Sequence, residues 1–194
     1  AEFFQLTGRD EEATWPFKED PKLGYEENRL VTGVKLANLR IHERAQSDPR
    51  LRGMGTTLVA ASLPGGGPTL LVGHVGDSRV YVFRNGQLRQ VTEDHSLLND
   101  YIKMKKLTPE EIANFPHKNV IVRALGMKDS VKVDTRFEAS RANDTYLLCS
   151  DGLSGPVTDD QILAIVQSAP DLKTAASNLI AAANANGGPD NVTV

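Results

Sequence analysis

Along residues 26–45 the apolar positions Leu30, Val31, Val34, Ala37 and Ile41 recur at three- and four-residue spacing, which predicts a long helix with one stripe on a core. Ser47, Asp48 and Pro49 end it, since proline cannot continue a helical ladder. The period then changes. Four short runs, 56–61, 69–75, 79–84 and 87–91, have strand length and strand composition. Pro64-Gly65-Gly66-Gly67-Pro68 and the dipeptide Asn85-Gly86 connect them as hairpins, the second suiting a type I′ turn. The expectation is an antiparallel meander. The triple glycine is not a phosphate loop, because it lacks a following Lys-Ser/Thr and leads into a strand.

After Asp94 the pattern is helical again, with Leu97, Leu98, Tyr101 and Ile102 on one face, and Thr108-Pro109-Glu110-Glu111 forms a capping box for a second short helix. Residues 96–119 therefore read as a helical insertion between sheet elements. Strands return at 131–137, where Val131, Val133, Thr135 and Phe137 alternate with charged residues, and at 145–149. Two helices follow, one opened by the capping box Thr158 to Gln161 and one carrying Ala175, Ala176, Leu179, Ile180 and Ala183. Residues 187–194 read as a tight loop running into a last strand. At the other end, residues 1–6 read as the tail of a helix, and the segment up to Gly24 as loop. Helices and strands come in separate blocks, so the class is α+β, antiparallel sheet packed against helices.

Bulk properties narrow the function. A chain of 194 residues is one domain by length. Net charge is −3 and the pI is near 5.8, with Lys and Arg scattered, so no basic field steers nucleic acid to it. No stretch reaches the roughly 20 apolar residues that span a bilayer, and the expectation is a cytoplasmic chain without membrane segment. The single cysteine, Cys149, lies in an apolar run, which reads as a packed thiol and excludes an internal disulfide framework.

Three carboxylates share a context. Asp94 and Asp151 leave strands and Asp190 enters one, each beside a residue that turns or caps the backbone. Hard divalent cations take oxygen ligands of this kind. Each residue also has a plain alternative: Asp94 can cap the helix that starts at Ser96, Asp190 can make an Asx turn after Pro189, and Asp151-Gly152 is a common turn dipeptide. Other chemistries have less support. His42, His74, His95 and His117 show no zinc-binding spacing, no Gly-x-Ser-x-Gly elbow occurs, and His74 reads as a core residue.

Gly53-Met54-Gly55-Thr56-Thr57, Val75-Gly76-Asp77-Ser78-Arg79, Thr92-Glu93-Asp94-His95-Ser96, Arg123-Ala124-Leu125-Gly126, Ser150-Asp151-Gly152-Leu153 and Pro189-Asp190-Asn191-Val192-Thr193 resemble, in order and rough spacing, the metal-dependent protein phosphatases of the PP2C type, most of all the bacterial branch. The resemblance runs from Gly53 to Val194. It implies an α-β-β-α sandwich of two packed antiparallel sheets flanked by helices, forming one catalytic domain over 1–194 with a flap at 96–119. It implies two core Mg²⁺ or Mn²⁺ ions held by Asp151 and Asp190, and a third, weaker ion shared by Asp94 and Asp151. The Asp77-Ser78-Arg79 and Arg123-Ala124-Leu125-Gly126 strings are similar to motifs that serve folding.

The implied activity is hydrolysis of phosphoserine and phosphothreonine in proteins by a metal-activated water, without a phosphoenzyme. The implied partners are phosphorylated proteins, a Ser/Thr kinase and its substrates, met by a monomer. The alternative is a catalytically inactive module of the same fold that binds a phosphoprotein or regulatory partner. The chain departs from the pattern upstream: the phosphate-gripping arginine and the Asp-Gly-Met-Gly-Gly string that bridges the core ions are not in it, and it stops inside the last motif's strand. The expectation is a domain truncated at both ends, with a weakened metal site.

Overall fold

The computed structural model describes residue 3 and residues 14–105, 107–116 and 120–194. Its strands are β1 (Leu58–Ser62), β2 (Thr69–Val75), β3 (Arg79–Arg84), β4 (Gln87–Gln90), β5 (Asp134–Ala139) and β6 (Thr145–Cys149). Its helices are α1 (Tyr25–Ser47), α2 (Leu97–Met104), α3 (Pro109–Ala113), α4 (Asp151–Ser154), α5 (Asp159–Ser168) and α6 (Leu172–Ala185). The class is α+β, with two three-stranded antiparallel sheets and flanking helices. The chain divides into two compact units, Ala1–Gly76 with Ile121–Glu138, and Asp77–Val120 with Ala139–Val194.

In the first unit the strand order is β1-β2-β5. Leu58 of β1 faces Val75 of β2 and Ser62 faces Leu71. The apolar stripe of α1 lies on this sheet, with Leu30 and Val34 packed against Leu71, Val75 and Leu125. The buried face also carries polar residues, Asn28, Arg29, Thr32 and Asn38, of which Asn38 is fully buried. Its amide donates to the carbonyls of Lys128 and Asp129 at 3.0 and 3.1 Å, and its oxygen accepts from the Gly126 N–H at 2.8 Å. The helix and the loop at 126–129 are thereby joined by three bonds with no amide donor left over. Leu125, in the same loop, pairs with Thr56 in an isolated antiparallel bridge.

In the second unit the order is β4-β3-β6. Asn85 and Gly86 have φ of 51° and 75°, so the β3-β4 hairpin turns through two left-handed residues as its sequence requires. Tyr81, Phe83 and Cys149 of the sheet meet Leu153, Ile162 and Leu179 of the helices. Burial pushes the Cys149 thiol up to about 12, as expected of a packed thiol. The capping box of α5 is present in full: Thr158 Oγ1 accepts from Gln161 N–H at 3.3 Å and Gln161 Oε1 accepts from Thr158 N–H at 3.0 Å.

Three local expectations change. β2 and β3 do not pair, so the single meander is two hairpins, one in each sheet. The break falls at Gly76, whose φ is +107° and where a Cβ would sit 2.4 Å from the Thr57 methyl group. That conformation turns the chain out of β2 instead of back along it. The alternation over 131–137 does not place Phe137 inside: Phe137 is 52% exposed, and Glu138 is the buried residue of β5. Residues 191–194 form no strand, although Ser150 N–H donates to the Thr193 carbonyl at 3.1 Å. The insertion has its two helices, α2 and α3, with Lys106 and residues 117–119, His117 included, outside the described residues. The helical tail read at 1–6 also lies outside them apart from Phe3. Among the described residues no helix is long and apolar enough to cross a membrane.

Candidate metal centre

The second unit holds a cavity of about 510 Å³ whose walls include Asp77, Arg79, Asp94, Ser96, Asp151 and Asp190. All three carboxylates singled out in the sequence thus line one space. A larger cavity of about 690 Å³ in the first unit has no carboxylate in its wall, and its arginine, Arg123, pairs with Asp134 at 2.9 Å. The acidic cavity is the one with chemistry to offer.

The Ser150-Asp151-Gly152 triplet builds one side of it. β6 ends at Cys149, and Ser150 stands at the N-cap of α4, so Asp151 starts a short helix and projects at the strand mouth. Ser150 Oγ donates to the Asn191 carbonyl at 3.2 Å and accepts from Thr193 N–H at 3.1 Å. Gly152 lets this happen: a Cβ there would lie 2.2 Å from the Asn191 carbonyl oxygen. Serine fastens the 190–193 segment, glycine makes room for it, and Asp190 is brought beside Asp151. The Asp151 carboxylate has no hydrogen bond or ion pair among the described residues. Asp190 Oδ1 accepts from the N–H of the next residue, Asn191, at 2.7 Å, one residue short of the Asx turn expected there, and its second oxygen is unengaged among the described residues.

Asp94 differs. Arg79 Nε donates to both of its oxygens at 3.0 and 3.1 Å, Arg79 Nη2 to Oδ2 at 2.7 Å, and Gln90 Nε2 to Oδ1 at 2.8 Å. This is a bidentate, partly buried ion pair, the strong geometry for arginine and carboxylate. Burial alone would lower the pKa of the guanidinium; the bonds and charge of Asp94 and the Tyr81 hydroxyl outweigh it and hold it above its ordinary range.

Asp77, read from the sequence as part of a folding motif, also lies in this wall. Its Oδ1 is buried and has no hydrogen-bond partner. Burial, and then the negative charge of Asp151, push its carboxyl up to about 6. A buried, unpartnered carboxylate oxygen in a wall shared with other carboxylates is costly unless a cation joins it. The donor set of Asp77, Asp151 and Asp190 is all oxygen, which fits hard divalent ions such as Mg²⁺ or Mn²⁺ that retain several waters. Among the described residues no three His, Cys, Asp or Glu side chains are gathered closely enough to hold an ion unaided. A signal for Asp77 was present: it follows a strand and a glycine, as close to a strand end as Asp151 is.

An antiparallel α+β chain with a carboxylate-walled cavity at a strand mouth offers hard oxygen donors to a divalent cation. The chain matches the family described as Protein phosphatase 2C over residues 9–186, and it belongs to that family. It is 41% identical over 168 residues to the serine/threonine phosphatase stp of Listeria welshimeri, a match covering 87% of this chain and 66% of that protein. The chain therefore spans just under two thirds of that relative. The crystal structure of the Mycobacterium tuberculosis serine/threonine phosphatase PstP/Ppp superposes with a TM-score of 0.80 at 36% identity, covering 98% of this chain and 76% of that one. A structure of the catalytic domain of PstP in complex with two manganese ions superposes with a TM-score of 0.72 at 36% identity, covering 96% of this chain and 74% of that one.

Proposed function

We propose that the chain is the catalytic part of a metal-dependent protein phosphatase that hydrolyses phosphoserine and phosphothreonine. The observation that carries this is the set of three carboxylates, Asp77, Asp151 and Asp190, that line one cavity without a cationic side chain bonded to any of them among the described residues. Family membership and the relatives' names give the reaction class, and the manganese-bound neighbour gives the metal class. Asp151 and Asp190 are the proposed ligands of the core ions, with Asp77 beside them. Mn²⁺ and Mg²⁺ both suit the donors, and a third ion has Asp151 as its shared ligand. Asp94 was the other ligand expected for that ion, but its engagement by Arg79 leaves Asp77 better supported.

When bound, such a pair of ions acidifies a water for attack and neutralises charge on the phosphoryl group. The protein's own residues orient and shield. Asp151 is held by the end of β6, Asp190 by the Ser150 clamp, and Ser96 and Leu98 at the start of α2 wall the cavity. Residues 96–119 are proposed as the flap of a single catalytic domain. The proposed substrates are phosphorylated proteins, including a Ser/Thr kinase and its targets, met by a cytoplasmic monomer. An inactive binding module would have no use for an unpartnered buried Asp77.

Hydrolysis of p-nitrophenyl phosphate and of a phosphothreonine peptide by the full-length protein tests the proposal. Activity should require Mn²⁺ or Mg²⁺ and should disappear with Asp151→Asn. Turnover that survives chelation would exclude the metal mechanism, and binding of the phosphopeptide without turnover would favour the inactive module.

A further inference from the structure

Asp94 lies at the root of the helical insertion, and its contacts form a continuous polar chain through the second unit. Gln90 and Arg79 donate to its carboxylate. Arg79 Nη1 donates to the Tyr81 hydroxyl at 2.8 Å, and that hydroxyl donates to Asp159 Oδ1 at 3.1 Å, at the first residue of α5. The members are sheltered: the Arg79 and Asp94 side chains are 24% and 17% exposed and Tyr81 is fully buried.

The backbone of Asp94 points the other way. Its carbonyl accepts from Asn99 Nδ2 at 2.8 Å, and Asn99 N–H donates to Ser96 Oγ at 3.2 Å. Just upstream, Val80 N–H donates to Thr92 Oγ1 at 3.1 Å and Val91 N–H to the Val80 carbonyl at 2.7 Å. At the far end of the insertion the Val120 carbonyl accepts from Leu97 N–H at 2.9 Å, closing its neck. One residue thus joins the sheet, through Arg79, to the first turn of α2, through Asn99. That turn supplies Ser96 and Leu98 to the wall of the acidic cavity.

We infer that Asp94 and Arg79 are positioning residues: their ion pair, braced by Tyr81 and Asp159, anchors the root of the 96–119 insertion and so sets the cavity wall opposite Asp151 and Asp190. Arginine suits the task, since one planar fork meets both oxygens of Asp94 while a third N–H reaches Tyr81. A lysine keeps the charge but not the fork. The consequence for turnover rests on the phosphatase reading; the anchoring does not.

The test is amide hydrogen exchange on the full-length protein without substrate, comparing wild type with Asp94→Asn, Arg79→Lys and Tyr81→Phe, together with calorimetric titration of Mn²⁺. Anchoring predicts that exchange at residues 97–101 rises at least tenfold in Asp94→Asn and Arg79→Lys and a few-fold in Tyr81→Phe. Exchange in β3 and β6 should keep wild-type rates, and Mn²⁺ affinity should stay within threefold. Unchanged exchange at 97–101 overturns the inference. So does an affinity loss above tenfold confined to Asp94→Asn, which would make Asp94 a ligand. Should Asp94→Asn lose protection everywhere, Arg79→Lys and Tyr81→Phe decide on the same readout. A wild type without phosphatase activity would count against the proposed function and leave this result standing.

Discussion

Replacing Asp77 by asparagine should stabilise the metal-free protein while removing part of its metal site. The carboxyl is held near pKa 6 against an ordinary 3.8, first by burial and then by Asp151. A raised carboxyl pKa means that the folded state binds the proton more tightly, so the ionised form opposes folding. The penalty is absent below pH about 4, grows between about 4 and 6, and is complete above 6. At about 1.4 kcal/mol per pH unit the difference reaches about 3 kcal/mol, and solvent screening of a partly buried group cuts this to about 1.5 kcal/mol. For a domain of this size that corresponds to about 4 °C in Tm. The assay is thermal unfolding in EDTA at pH 7.5 and pH 4.5. Asp77→Asn should melt above wild type at pH 7.5 and by only about a third as much at pH 4.5, and Mn²⁺ should narrow or reverse the gap at pH 7.5. A variant that melts lower at both pH values would refute the reasoning and return Asp77 to a scaffold role.

Asn38→Ala leaves the buried Gly126 N–H unpaired and two carbonyls short of donors, so urea unfolding should show a loss of about 3 kcal/mol; a loss below 1 would mean that water replaces the amide. Arg84 grips Asp144 at 2.6 and 2.9 Å, and the guanidinium holds that carboxyl far below its ordinary range. This stability is present above pH about 4 and lost as pH falls, so Asp144→Asn should lower Tm at pH 7 and flatten the acid limb of the stability curve; an unchanged acid limb would count against the pair. Gly152→Ala must push back the Asn191 carbonyl, so Mn²⁺ affinity should fall more than tenfold with far-ultraviolet dichroism unchanged.

The long helix and both hairpins were legible in the sequence because periodicity and the Asn85-Gly86 turn are local signals. Which sheet a hairpin joins is not local: β2 and β3 follow each other with three residues between, Gly76 at positive φ among them, yet belong to different sheets. Alternation predicted a strand over 131–137, found at Asp134–Ala139, but not its inward face, Glu138 being the buried residue. Asp151, Asp190 and Asp94 were singled out because the sequence reads each as standing at a strand end, and all three line one cavity, although no strand follows Asp190. What the one-dimensional pattern lacked was partnership. It could not show that Arg79 takes up Asp94, fifteen residues on, or that Asp77 has an oxygen with nothing to meet it.

The central claim is that the carboxylates of this cavity bind divalent metal for phosphoryl hydrolysis. Calorimetric titration of Mn²⁺ into the full-length wild type, Asp151→Asn and Asp190→Asn tests it most directly. The account predicts saturable binding by wild type and at least tenfold weaker affinity in each variant, with folded structure retained; equal affinity in all three would contradict it.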